Sequence, residues 1–244
     1  MKNSTSVFPK PPAFLDFVPR SIVRKLDAAE ALLFALDSRS RSSAYGPHIA
    51  LGSLRSTLAA AQVQQQRIRR AKKSILQKPL TGGRINSLFF DVHFYLICWA
   101  RIDKLATFVA RHTGFQQPKL VLRRYRSRLD RMSDFRDHLE HFEERLPGSS
   151  ARHETLRVPA DLFNMFGDSV TIGGDTVNVG IESFSLLAGI VDEFEEAVLF
   201  DALETLWSVE PARVSHLLRR AALPGQILRT TRQIQRMLGQ IHRE

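Results

Sequence analysis

Apolar residues recur through most of the chain at steps of three and four, the spacing of one face of an α-helix. The pattern is clearest in Leu120–Leu146, where Leu122, Tyr125, Leu129, Met132, Phe135, Leu139, Phe142 and Leu146 form one stripe. Such a stripe on an otherwise polar helix is a core-facing seam. It predicts a helix over about Lys119–Leu146. A second helix is predicted over about Arg84–Arg111, with Gly114 and Pro118 punctuating the short link between the two. Two helices of similar length on a short connection should lie antiparallel, each roughly 40 Å long at about 1.5 Å per residue.

Further helices are predicted on either side. Ile22, Leu26, Ala29, Leu33 and Leu36 place one over Ser21–Asp37, and an Ala-, Gln- and Arg-rich stretch places a long one over about Ile49–Gln77. Leu187, Ile190, Phe194 and Ala197 mark another over about Ile181–Trp207, with two short C-terminal helices split by Pro211 and by Pro224-Gly225. One segment departs from this texture. Ser169-Val-Thr-Ile172, Gly173-Gly174 and Asp175-Thr-Val-Asn-Val179 place β-branched runs around a two-residue glycine turn, the signal of a β-hairpin. The expected fold is mainly α: an antiparallel helix bundle with one inserted hairpin, standing outside the bundle. The expected organisation is a leader and helix over residues 1–48, a helical core over 49–210 and a helical extension over 211–244.

Composition narrows the function classes. The 244 residues carry 35 Lys and Arg against 25 Asp and Glu, a formal net charge of +10, which points to an acidic polymer, most often nucleic acid, as partner, with an anionic membrane surface second. A single cysteine, Cys98, excludes an intrachain disulfide and a Cys-rich metal site. The longest apolar stretch, Leu88–Ala100, is too short to span a bilayer and contains Asp91 and His93, so no membrane role and a cytoplasmic location are expected.

The candidate chemistry lies on the far side of the stripe. Measured from Arg136 at about 100° per residue, Glu140 lies near about 40°, Asp137 near about 100° and His141 near about 140°, whereas the stripe centres near about −60°. An arginine, an acid and a histidine on one exposed helix face can bind a phosphodiester and move its protons. Arg123, Arg124, Arg126, Arg128 and Arg131 crowd the same helix and form a candidate RNA-binding footprint. His138 and His141, three residues apart, make a weaker metal candidate, with no E-x-x-H pair to support it. Asp91 and His93 read as buried, satisfied polar groups, and Cys98 as an inert core thiol.

The run Arg136-Asp137-His138-Leu139-Glu140-His141 resembles the R-x4-H signature of the HEPN superfamily, and Phe142-Glu143-Glu144-Arg145 extends the likeness to uncharacterised bacterial HEPN-like proteins. The resemblance implies a helical bundle, a homodimer with two motifs facing across a cleft, and a metal-independent endoribonuclease of toxin or defence type. It implies Arg136 and His141 in catalysis, Asp137 in support, no cofactor, and an antitoxin or other protein as a further partner. HEPN toxins paired with nucleotidyltransferase antitoxins carry a tyrosine two residues after the histidine. Here that position is Glu143, so that mode of regulation is not expected. Two other readings stay open: a non-catalytic HEPN-like module that binds protein or RNA, and a DNA-binding regulator that uses the basic C-terminal helices.

Overall fold

The computed structural model describes residues 33, 45–77, 82–140, 164–172 and 175–209. Four long helices dominate: α1 (Tyr45–Gln77), α2 (Gly82–Thr113), α3 (Gln116–Glu140) and α4 (Ile181–Val209). Between α3 and α4 lie three short strands, β1 (Asn164–Phe166), β2 (Ser169–Ile172) and β3 (Asp175–Asn178). The expected mainly helical class is the observed one. The Ser21–Asp37 helix apart from Leu33, the two C-terminal helices, the Gly173-Gly174 turn and residues 141–163 lie outside the described residues.

Side-chain pairs between helices give their directions. Arg67 on α1 meets Asp91 on α2, and Arg126 on α3 meets Asp103 on α2. Gln116 on α3 meets Asp201 on α4, and Tyr125 on α3 meets Glu193 on α4. Later residues of α1 meet earlier residues of α2, later residues of α2 meet earlier residues of α3, and along α3 positions 116 and 125 meet 201 and 193 of α4 in descending order, so the four run alternately up and down. The turn between α2 and α3 needs only Gly114 and Phe115. Gly114 sits at φ 73°, a left-handed conformation that ends a helix cheaply only without a Cβ. Pro118 lies in the first turn of α3, where its missing N–H removes no helical bond.

The expected stripe packs as a core seam. Leu122, Leu129, Met132 and Phe135 are buried, while Tyr125 and Leu139 pack against the core from its edge. Phe142 and Leu146 lie outside the described residues. Leu187, Ile190, Phe194 and Ala197 of α4 are buried as the pattern required, and so is Leu33 of the N-terminal segment.

The hairpin is present but does not stand outside the bundle. β2 and β3 pair antiparallel with Val170 opposite Val177, and β1 adds a third strand on the other edge of β2. Strand alternation turns Val170, Ile172 and Val177 to one side, where they join the core together with Val179. Polar ties lock the sheet in place. Val179 N–H donates to the Asp168 carbonyl at 2.8 Å, and the Lys72 ammonium of α1 pairs with the Asp168 carboxylate. That carboxylate crowds Gly180 so closely that any side chain there would collide with it.

One buried acid holds a helix start. Asp201 on α4 accepts from the backbone N–H groups of Gln116 and Gln117, at 2.8 and 2.9 Å from its Oδ2, satisfying two donors that an α-helix leaves open at its N-terminus. Asp201→Ala is expected to cost about 1–2 kcal/mol in urea unfolding, the range for a lost N-cap, and Asp201→Asn, which keeps an acceptor, about half of that.

Candidate functional site

The site forms where the core seam of α3 gives way to its polar flank. Phe135 is 1% exposed, and the next residue turns out of the core. Arg136 Nε donates to Asp137 Oδ1 at 3.1 Å, and Nη2 donates to the same oxygen. Glu140 Oε2 lies 3.5 Å from the same Nε, one helical turn on. From α2, His93 Nε2 approaches the other Glu140 oxygen at 3.6 Å. Arg136, Asp137, Glu140 and His93 therefore make one cluster. Its carboxylates stand between a fixed positive charge and an imidazole. His141 lies outside the described residues.

Arg136 differs from its expected exposure. Its side chain is 16% exposed, against 43% for Asp137 and 37% for Glu140. The reason is angular. Arg136 lies only about 60° from the stripe centre, so it sits on the shoulder of the seam, and its guanidinium folds back over its own helix to reach both acids.

The apolar run around His93 predicts a satisfied buried polar group; the side chain is instead half-buried and faces the motif helix. The signal that could have found it is the antiparallel pairing itself. Reflecting α2 onto α3 about Gly114–Phe115 sets position 93 opposite position 136. Asp91, two residues earlier, points the other way. It is buried against Arg67 of α1, 2.8 Å from Nε, and takes no part in the Arg136 cluster.

Burial raises the pKa of Asp91 above its ordinary value of 3.8, and the Arg67 charge opposes that rise. A raised folded pKa means that the folded state holds the proton more tightly. The stability contributed by Asp91 is then greatest below 3.8 and is lost as pH rises through the folded pKa. Arg67→Ala removes the opposing charge and widens that window. The expected loss is about 1–3 kcal/mol at pH 7, shrinking as pH falls towards 4, in paired urea titrations. A loss equal at both pH values would contradict this assignment.

The five arginines of α3 do not form one patch. Arg124 pairs with Glu193 of α4, whose other oxygen accepts from the Tyr125 hydroxyl at 2.8 Å and raises the tyrosine pKa. Arg126 turns to the opposite side, paired with Asp103 of α2 and, at 3.2 Å, with Asp130. Hydrogen bonding to Asp103 raises its pKa further. Arg131 Nη2 donates to the Thr176 carbonyl of β3 at 2.6 Å. Arg123 and Arg128 are exposed, and neither has an ion-pair partner among the described residues. Three of the five thus fasten α3 to α2, α4 and the sheet.

The remaining candidates fall into place around this. His138 is buried beneath β3, with Nε2 3.8 Å from Asp175 Oδ2. Among the described residues no group of three or more His, Cys, Asp or Glu is arranged to hold a metal ion. Burial pushes the Cys98 thiol up to about 11, which keeps it protonated and unreactive near neutral pH. Among the described residues no helix is long and apolar enough to cross a membrane. No family model, curated protein or solved structure matches the chain.

Proposed function

We propose that this chain is a metal-independent endoribonuclease of toxin or defence type, acting in the cytoplasm as a homodimer. The observation that carries the reading is the Arg136–Asp137–Glu140–His93 cluster, gathered outside the core immediately before His141. RNA brings its own nucleophile, the 2′-hydroxyl. A neutral His141 takes its proton, and a protonated His141 from the second subunit gives one to the departing 5′-oxygen. Arg136 stabilises the charge that builds on the phosphoryl oxygens. Asp137 fixes the guanidinium plane through the Nε bond until a phosphate competes for it. The exposed Arg123 and Arg128 add positive charge for the strand, and Arg124, Arg126 and Arg131 contribute field more than free donors. A protein partner such as an antitoxin belongs to the same proposal.

The pairing of Arg136 within its own subunit favours a second reading, the non-catalytic HEPN-like module. A substrate phosphate must displace at least one carboxylate before Arg136 can serve it, whereas a purely architectural arginine is complete as it stands. RNA cleavage by the purified chain, with Arg136→Ala and His141→Ala alongside, separates the two. Binding without cleavage selects the module.

A further inference from the structure

A cleft of about 400 Å³ opens where α3, the β2–β3 pair and the first turn of α4 meet over Trp99. It lies on a different side of α3 from the Arg136 cluster. At about 100° per residue, Arg128, Arg131 and Met132 centre on one direction, while Glu140 and Asp137 point about 130° and about 170° away from that centre.

The walls of this cleft hold more donors than acceptors. The Arg128 guanidinium is exposed and has no ion-pair partner among the described residues. Arg131 is fixed beside it by a single bond to the Thr176 carbonyl, which leaves its other N–H groups available. Asn178 accepts from Gly180 N–H through Oδ1, which leaves its amide N–H₂ as a donor. The Ser183 hydroxyl oxygen accepts from Tyr95 at 3.0 Å and keeps its own proton to donate. Trp99 is buried at the cleft wall. Against these stands one carboxylate among the described residues of the lining, Glu182.

An excess of guanidinium and N–H donors calls for an anion rich in acceptors, and two neighbouring arginines suit the tetrahedral oxygens of a phosphate. A lone carboxylate on the rim suits the hydroxyls of a sugar. Met132 and Leu186 add apolar wall for a flat ring, and the volume lies within the range of small-molecule sites. We propose that this cleft binds a phosphorylated nucleoside, with its phosphate on Arg128 and Arg131, its ribose towards Glu182 and its base against Met132 and Leu186. The ligand is either a free mononucleotide or the phosphorylated end of an RNA strand. Binding here requires nothing of Arg136 or His141, so a failure to cleave RNA leaves it standing.

The test is calorimetric titration of the full chain with the four ribonucleoside 5′-monophosphates, their nucleosides and inorganic phosphate. At least one monophosphate should bind saturably below about 1 mM, and its nucleoside about tenfold more weakly or worse. Arg128→Ala, at an exposed position with no ion pair to lose, should weaken the monophosphate about tenfold or more, and Lys104→Ala should leave it unchanged. Glu182→Gln should weaken the monophosphate but not inorganic phosphate. An RNA hexamer with a 5′-phosphate that binds more tightly than the mononucleotide and than its 5′-hydroxyl form assigns the site to RNA ends; the reverse order assigns it to free nucleotides. Absence of saturable binding by all four monophosphates, or an unchanged affinity in Arg128→Ala, would overturn the proposal.

Discussion

His141→Ala and Arg136→Ala are each expected to lower RNA cleavage about a hundredfold or more while the helical circular-dichroism spectrum is kept. For His141 the magnitude follows from proton transfer, which contributes about 10²–10⁴ to catalysed rates. For Arg136 it follows from the loss of a charged donor to the phosphoryl oxygens, an effect of about 3–4 kcal/mol in comparable oxyanion sites. The fold should survive because the groups that Arg136 leaves behind, Asp137 and Glu140, are solvated enough to stand alone. Arg136→Lys keeps the charge and loses the planar fork, so its rate should fall between wild type and Arg136→Ala. A His141→Ala protein that cuts as fast as wild type removes the catalytic reading and leaves the binding module.

One residue earlier on the same helix the expected result is reversed. Phe135 is among the largest fully buried side chains of the core. Phe135→Ala should cost about 3–5 kcal/mol, the sum of lost transfer energy and the cavity left behind. That is a large share of the roughly 5–15 kcal/mol that holds a typical domain together. Urea denaturation of Phe135→Ala beside Phe135→Leu, which keeps most of the volume and should lose far less, would read the packing directly. A loss below about 1 kcal/mol for Phe135→Ala would mean that the stripe is not the seam described here.

Much of the architecture was legible from spacing alone. The periodic stripes of α3 and α4 marked their buried faces because burial follows a 3.6-residue repeat. The helix–turn–helix of α2 and α3 was legible for the same reason, with Gly114 and Pro118 as its stops. The β2–β3 hairpin was legible from its β-branched alternation. β1 was not, since three residues around Met165 carry no periodicity of their own and pair only because β2 offers an edge. That the hairpin joins the core depends on Val170, Ile172 and Val177 meeting helices distant in sequence, which no local pattern encodes.

The candidate site was legible in part. Angular position placed Arg136, Asp137 and Glu140 on one side of α3, and they lie together. Applied to the other arginines, the same arithmetic sets Arg124 and Arg131 on a different side from Arg126, a division that a run of positive charge does not reveal. Their ties to Glu193, Thr176 and Asp103 are tertiary. Asp201 was missed for the same reason: its role as the cap of α3 spans 85 positions of chain. His93 was hidden inside an apolar run, where composition suggests burial, and only the pairing of α2 with α3 brings it to Glu140.

The central claim is that this helical chain cuts RNA through its own 2′-hydroxyl with groups of the Arg136–His141 segment. Its most direct test is incubation of the purified full chain with end-labelled RNA in EDTA, followed by analysis of both new ends. The expected result is cleavage that persists in EDTA and leaves 2′,3′-cyclic phosphate and 5′-hydroxyl ends, with 2′-deoxy-substituted RNA untouched. No cleavage, cleavage that EDTA abolishes, or fragments carrying 5′-phosphates would contradict it.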